Sequence, residues 1–490
     1  MNKDFETLNP QAVWRHFKNI MAIPHPSGHE AALGRYITNF ATSLGLESEV
    51  DGAGNVIVRK GATEGMESRK GVILQAHLDM VPQKNGDKVF DFESDPIEGY
   101  IDGDWVRADG TTLGADNGLG VAAALAILED TTLKHGDLEL LFTASEETGM
   151  DGAYALTADQ LRGDILLNLD TEEHGELCIG CAGGLDLIVT FDHELIPTPQ
   201  GEDYVARRLM VGGLRGGHSG IEIDQQRGNA IKLLFRFLRF TKLDLLIAAV
   251  DGGSLKNAIP REAYVDILIQ NDDLELFEEQ VARYEQTIAE EHSPVESSIK
   301  VSLSEIEYPE CMIEDNAASC MVWSIAGAPD GVYRMSNHIP GLVQTSSNLG
   351  VIRSEGEQTT ATIFVRSSME SEKIALADHI ASVFELADAE VECDGSHPAW
   401  QPNTASPILN IMKEGYRELF GSEPKVLAVH AGLECGLIGA TYPRLDMISF
   451  GPTIVSPHSP AERAQISSVA DFYRLLCYTI ESVLGQPHQI

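Results

Sequence analysis

Three short apolar segments constrain this chain more than any other feature. GVILQA (71–76), LELLFTAS (138–145) and DILLNL (164–169) are rich in Leu, Ile and Val, and each is bounded by turn residues. Between the first two lies LGVAAALAILED (119–130), an apolar helix long enough to be a crossover. Strands alternating with helices predict an α/β domain with a mostly parallel sheet flanked by helices. In open sheets of that kind, ligands sit outside the carboxyl ends of the strands. The first run leads to His77-Leu78-Asp79, the second to Glu146-Glu147 and the third to Asp170. Three strands would thus deliver polar groups to one edge.

Near residue 185 the pattern changes. LDLIVTFDHEL, ARRLMVGGL, LLIAAV, YVDILIQ, SIKVSLSEI and ATIFVRS read as strands, and NAIKLLFRFLRF, LELFEEQVARYEQTIAEEH and EKIALADHIASVFELA as amphipathic helices. This suggests an α+β insertion of one or two ββαβ-type units, although no sequence repeat is evident. After the Pro-rich link HPAWQPNTASP (397–407), the strand–helix–strand character returns. The predicted layout is a discontinuous catalytic domain (1–184 and 400–490) interrupted by an inserted domain (185–399). A chain of 490 residues is large enough for two such bodies.

Composition narrows the function. The formal net charge is −40, which repels nucleic acid and anionic lipid and excludes both as partners. No apolar run reaches ~18 residues, so no membrane helix is expected. The opening MNKDFETLNPQAVWRHF has no apolar signal core, and a cytoplasmic location is expected. Seven cysteines, an odd number, are expected to be free thiols. Cys178 and Cys181 form a CxxC without the second pair a thiolate zinc site needs, and read as structural or incidental.

The polar residues at the strand ends have the types and spacing of a metal site. In an extended chain, residues i and i+2 point the same way, so Asp79 can hydrogen-bond the ring nitrogen of His77 left free by a metal. Asp116, in the Gly-rich turn GADNG before the crossover helix, has two oxygens and can bridge two cations; otherwise it is an N-cap. Glu146 and Glu147 diverge, so that one can bind metal while the other faces a bound water. His458 stands between two prolines, just ahead of Ser459-Pro460-Ala461-Glu462, which fits a capping box and predicts a helix start there. Two histidines and three carboxylates, His77, Asp116, Glu147, Asp170 and His458, suit two Zn²⁺, with Co²⁺ or Mn²⁺ as possible substitutes. Glu146 would then be the general base.

LQAHLDMVPQKN, GADNGLGVA, ASEETGMDGA, NLDTEEHGELCIGCAGG, HAGLECGLI and GPTIVSPHSPAERA, in that order, closely resemble the zinc aminoacylase/carboxypeptidase superfamily of exopeptidases. The resemblance covers nearly the whole chain and is strongest to bacterial members that cut dipeptides. It implies a zinc held by His77 and Asp170, a second held by Glu147 and His458, and Asp116 as the bridge. It also implies Asp79 as the residue orienting His77, Glu146 as base, and a cis bond at Asp116–Asn117. The insertion becomes a lid and dimerisation domain. There His218 would stabilise the oxyanion, Asn257 would occupy a lid position, and Arg366 and Gly432 would contact the substrate's terminal carboxylate. The implied activity is hydrolysis of unblocked dipeptides, preferring His as second residue (β-alanyl-histidine included), by a homodimer. A di-zinc tripeptidase or an N-acyl amino acid deacylase would share every ligand, and a non-catalytic metal-binding scaffold would have no use for Glu146.

Overall fold

The computed structural model describes residues 5–201 and 203–484. The first four residues of the acidic opening and the outermost limits of the predicted domains lie outside them. The chain forms two compact units. One takes the chain as far as Gly180, then Trp400–Ala428 and the chain from Leu433; the other takes Cys181–Ala399 together with Val429–Gly432.

The first unit is built on an eight-stranded sheet. Its order is Glu47–Val50, Val56–Lys60, Leu138–Thr143, Val72–His77, Ile165–Asn168, Asp446–Ser449, Glu176–Cys181, Lys425–Val429. The core is parallel: Val72–His77 pairs in parallel with Leu138–Thr143 and with Ile165–Asn168, which pairs in parallel with Asp446–Ser449. The Glu47–Val50 and Val56–Lys60 edge is antiparallel, so the sheet is mixed. Every residue of Val72–His77 and Leu138–Thr143 is buried, as expected for strands covered on both faces. Truncating Leu74, fully buried at the centre, would cost ~2–5 kcal/mol.

The crossover helix Ala115–Glu129 is buried from Ala115 to Leu128, which explains why its sequence is apolar all round. Gly120 lets it approach the strand end: a Cβ there would stand 2.8 Å from the Leu169 carbonyl, next to Asp170. A small antiparallel sheet, Ile454–Val455, Arg463–Gln465, Trp105–Ala108 and Gly99–Asp102, pins both flanks of the loop that carries His458.

The second unit is built on a nine-stranded sheet whose path runs Lys300–Glu305, Tyr204–Gly212, Ala263–Gln270, Leu246–Gly253, Val343–Glu355, Gln358–Ser367, Gly183–Asp192, Glu390–His397, with Gly331–Met335 pairing off it beside Val343–Glu355. It is doubled. Tyr204–Gly212, helix Ala230–Phe240, Leu246–Gly253, Ala263–Gln270, helix Leu274–Glu291 and Lys300–Glu305 make one βαββαβ half. Gly183–Asp192, helix Asp315–Gly327, Val343–Glu355, Gln358–Ser367, helix Glu370–Glu385 and Glu390–His397 make the other. The first half is threaded between the first strand and first helix of the second, and the two join where Leu246–Gly253 pairs with Val343–Glu355. One core of Leu, Ile, Val and Phe, including Leu234, Phe277, Ile363 and Phe384, runs under both.

Candidate active site

Asp116 presents one carboxylate oxygen to each of two histidines. His77 Nε2 lies 3.1 Å from Oδ1, and His458 Nε2 lies 3.1 Å from Oδ2. Asp170 Oδ1 stands 3.3 Å from His77 Nε2, and Glu147 Oε1 stands 2.8 Å from His458 Nε2. Within each trio, His77–Asp116–Asp170 and Asp116–Glu147–His458, the ligand atoms all lie within 4.8 Å of one another. Donors bound at ~2.0–2.2 Å around a tetrahedral zinc stand roughly 3.3 Å apart, so each trio has the spacing to hold one cation. Glu147 Oε1 is buried and its contact with His458 lacks hydrogen-bond geometry, an orphaned acceptor that a cation would satisfy. Glu146 shares a third grouping with His77 and Glu147 but is absent from the trio around His458.

The local fold explains these positions. His77 ends its strand, Asp170 follows Asn168 by two residues, and Glu146 follows Thr143 by three. Glu146 and Glu147 are not on the strand: they open the four-residue helix Glu146–Gly149, after Ser145 at φ 54°. Their amides donate to Asp79, at 2.9 Å to Oδ1 and 3.2 Å to Oδ2, and Ser27 Oγ donates to Oδ2 at 2.7 Å. The Asp79 carboxylate thus fixes the Glu146–Glu147 turn as well as standing 3.4 Å from His77 Nδ1, while its own carbonyl oxygen is closer to that nitrogen, at 3.0 Å. The Asp116–Asn117 bond is cis, and the Asn117 amide donates to Asp170 Oδ1.

The expected capping box at Ser459–Glu462 does not form. The segment is a turn, and the helix begins only at Ile466. Glu462 instead turns inward and accepts from Leu113 N (2.7 Å), Gly114 N (3.1 Å), Ala115 N (2.8 Å) and Asp116 N (3.4 Å). One buried carboxylate therefore locks the turn of Asp116 to the loop of His458, which is itself held at φ 57°.

Burial and charge tune the cluster. Burial pushes the Asp116 carboxyl up, but His458 and His77 outweigh it and hold the carboxyl well below its ordinary value. Burial likewise pushes His77 down, and Asp170 and Asp116 reverse this and raise it well above an ordinary imidazole. Asp116 and Glu147 push His458 up to about 11. Glu146 is raised well above the usual carboxylate range by burial, with Asp170, Glu434 and Glu147 adding repulsion that His77 only partly offsets. Glu434, not singled out from sequence, is fully buried behind the site and accepts from Gln75 Nε2 (2.6 Å) and Thr143 Oγ1 (2.8 Å).

His218, Asn257, Arg366 and Gly432 belong to the inserted unit. His218 Nδ1 accepts from the amides of Gly220 (2.9 Å) and Ile221 (3.1 Å), which leaves its proton on Nε2. Burial, aided by the Arg366 charge, lowers the ring to about 4, so it is a neutral donor. Asn257 is exposed, next to Ala258, which pairs with His218. Arg366 is only 5% exposed, stacks on Phe364 with 4.3 Å to the ring centre, and has no partner for Nε. Burial lowers it to about 10, with Asp186 partly compensating. Gly432 ends the segment Val429–Gly432. Two residues before it, the unforeseen His430 is buried, its Nε2 2.7 Å from Ser346 Oγ and its Nδ1 unpartnered.

Paired carboxylate–imidazole trios sharing one aspartate, at the carboxyl ends of a parallel sheet core, are the build of a dinuclear metallohydrolase. Comparison with known proteins agrees. Residues 73–482 match the model for Peptidase family M20/M25/M40. The chain is 43% identical over 484 residues to the cytosol non-specific dipeptidase of Escherichia coli (strain K12), covering 98% of this chain and 99% of that protein. The crystal structure of aminoacylhistidine dipeptidase from Vibrio alginolyticus superposes with a TM-score of 0.92 at 43% identity, covering 99% of both chains. A tripeptidase from Staphylococcus aureus shares the fold at 16% identity, with a TM-score of 0.56 over 97% of this chain and 99% of that one. The chain belongs to peptidase family M20/M25/M40.

Proposed function

We propose that this chain is a di-zinc dipeptidase that hydrolyses unblocked dipeptides, with preference for His as the second residue. The observation that carries the reading is Asp116, whose two oxygens each stand 3.1 Å from a different histidine. In this assignment His77 and Asp170 would hold one zinc and Glu147 and His458 the other, with Asp116 shared between the two trios. The names of the two relatives at 43% identity support the substrate class and the Xaa-His preference. Zinc bound there supplies Lewis acidity and lowers the pKa of a water.

The remaining chemistry falls to the chain's own side chains. Glu146 takes a proton from the attacking water and delivers it to the leaving amine; its raised affinity for protons suits that double duty. Its place outside the His458 trio supports Glu147 as the ligand and Glu146 as the base. Asp79 orients His77 and fixes the Glu146 turn. From the inserted unit, the Nε2 proton of neutral His218 would stabilise an oxyanion, Arg366 and Gly432 would take the substrate's terminal carboxylate, and Asn257 would occupy a lid position. Among the described residues no helix is long and apolar enough to cross a membrane, and the Escherichia coli relative is named as cytosolic, which supports a cytoplasmic location. The assembly we assign is a homodimer, built through the inserted unit. A doubled sheet is also what a self-sufficient monomer would need, and sedimentation mass separates the two.

The test is zinc stoichiometry and a substrate panel on one purified sample. We expect two zincs per chain and rapid cleavage of free dipeptides, alanyl-histidine among the best. A tetrapeptide or an N-acetyl amino acid cut as fast as a dipeptide would replace this reading with an aminopeptidase or a deacylase.

A further inference from the structure

We infer that Glu434 is a positioning residue for the metal site, the terminal acceptor of a one-way chain of buried hydrogen bonds that ties together the strand ends leading to His77, Glu146 and Glu147, Asp170 and His458. The inference rests on the reading above, in which those residues are metal ligands and base.

The core of the first unit carries polar side chains where apolar ones are the rule. Thr143, Gln75, Asn168 and Ser449 come from four adjacent strands, and Glu434 opens the helix Glu434–Thr441; none of the five has any exposed surface. Gln75, Asn168 and Ser449 are register partners across the parallel pairs. Gln75 and His77 lie two residues apart on one strand, so they share a face, and the polar row lies one pleat below the site. Asn168 ends the strand before Asp170, Thr143 ends the strand before Glu146, and Ser449 ends the strand that leads through Ile454–Val455 to the loop of His458.

The contacts run in one direction. Glu434 Oε2 accepts from Gln75 Nε2 at 2.6 Å and from Thr143 Oγ1 at 2.8 Å. Gln75 Oε1 accepts from Asn168 Nδ2 at 2.5 Å, and Asn168 Oδ1 accepts from Ser449 Oγ. Ser449 Oγ is in turn 2.7 Å from Thr171 Oγ1, beside Asp170. The accepting carboxylate oxygen has no proton to give, so Glu434 dictates which way the Gln75 amide faces. Gln75 then dictates the Asn168 amide, and Asn168 the Ser449 hydroxyl. Each bond polarises the next. Glu434 Oε1 is buried without a hydrogen bond, so the row is what the hydrogen bonds of this carboxylate serve.

Stability alone does not call for an acid here, since a well-packed apolar side chain in place of a buried charge is often neutral or stabilising. An apolar side chain would not set the amide directions. Metal sites do need their ligands set, because coordination distances tolerate only about 0.2 Å.

The test is a mutant cycle. Glu434→Leu removes the acceptor, and Ser449→Ala cuts the far end of the chain, with Gln75 and Asn168 between the two. Zinc affinity, by competition with a chelator, and kcat for alanyl-histidine are measured for each variant. We expect Glu434→Leu to lose about 10-fold in both, as partners of metal ligands do. Glu434→Gln keeps an oxygen for Gln75 and should lose less than about threefold. The double variant should be no worse than the poorer single one, because a chain broken at one end has little left to lose at the other. Losses that multiply overturn the inference, since independent defects combine that way. A Glu434→Gln variant as poor as Glu434→Leu also overturns it, and so does a Glu434→Leu variant with wild-type affinity and turnover. If Glu434→Leu does not fold, Thr143→Val, which keeps the shape and removes a donor to Glu434, takes its place in the cycle. Wild-type protein that holds zinc yet cuts no dipeptide would refute the functional reading, and the cycle in zinc affinity would still decide the chain.

Discussion

The two units treat charge in opposite ways. In the catalytic unit, Asp116, Asp170, Glu147 and Glu146 crowd around two imidazoles. In the inserted unit, Arg366 is buried beside His218 and His430, and the acid that acts on it, Asp186, already pairs with Lys256. Either arrangement alone is unfavourable, because uncompensated buried charge costs several kcal/mol. The first holds more carboxylates than imidazoles, and the second shares its one nearby acid, Asp186, between Arg366 and Lys256. In the reading proposed above, bound metal would bring positive charge to the acidic cluster and a substrate carboxylate would bring negative charge to the basic one. The contrast teaches that unpaired charge marks function better than charge does, since the many exposed ion pairs of this chain mark nothing.

The largest expected effect comes from the acidic side. Glu146→Gln should lower kcat by about 10³-fold, within the range for loss of a general base, with zinc content unchanged. Near-normal turnover in the zinc-loaded variant would leave the acidic cluster with no catalytic member outside the metal cage. Next is the basic side. Arg366→Met should lower kcat/KM for a free dipeptide by about 100-fold, yet barely alter it for the matching dipeptide amide, which has no carboxylate to grip. Equal losses on the two substrates would mean that Arg366 only packs against Phe364, and the contrast between the units would dissolve.

A smaller effect sharpens how the acidic half is built. Glu462→Gln keeps the side chain's length but swaps half of a four-amide acceptor for a donor. Metal affinity, measured by competition with a chelator, should fall about 10-fold, as for outer-sphere partners generally. Unchanged affinity would show that the turn of Asp116 holds its shape without this support.

Glu462 also shows where reading a sequence stops. Ser-Pro-Ala-Glu before an apolar run has the local pattern of a helix start. The amides that claim its carboxylate lie up to 349 positions away, and nothing local announces them. Four of the ligand candidates were legible for the opposite reason, each sitting just past an apolar strand or inside a Gly-rich turn, and His458 stood out by its two flanking prolines. The strand Val343–Glu355 was not legible, because VQTSSNLG reads as a turn cluster. Its polar groups are satisfied by non-local partners: Ser367 for Thr345, His430 for Ser346, and the Lys256 and Ala258 carbonyls for Asn348. The doubling of the inserted sheet survives in strand order without a sequence repeat, since a βαββαβ half needs only apolar periodicity in the right places.

The smallest signal is a count of protons, and it tests the acidic half before any substrate is present. In metal-free protein the neighbouring carboxylates raise His77 well above the ordinary imidazole value and His458 to about 11, so both rings are expected to carry a proton at neutral pH. A ring that coordinates metal must offer a lone pair, so its proton has to leave. Loading with zinc at neutral pH should therefore release about two protons per chain, one from each ring. Calorimetric titrations in buffers of different ionisation enthalpy measure that number directly. The sign follows from the raised values. Apparent zinc affinity should climb as pH rises from 7 towards 11, as the competing proton is removed, and fall as pH drops. Zinc binding without proton release would mean that neither ring is a ligand, and the two trios around Asp116 would then be ion pairs and not a metal centre.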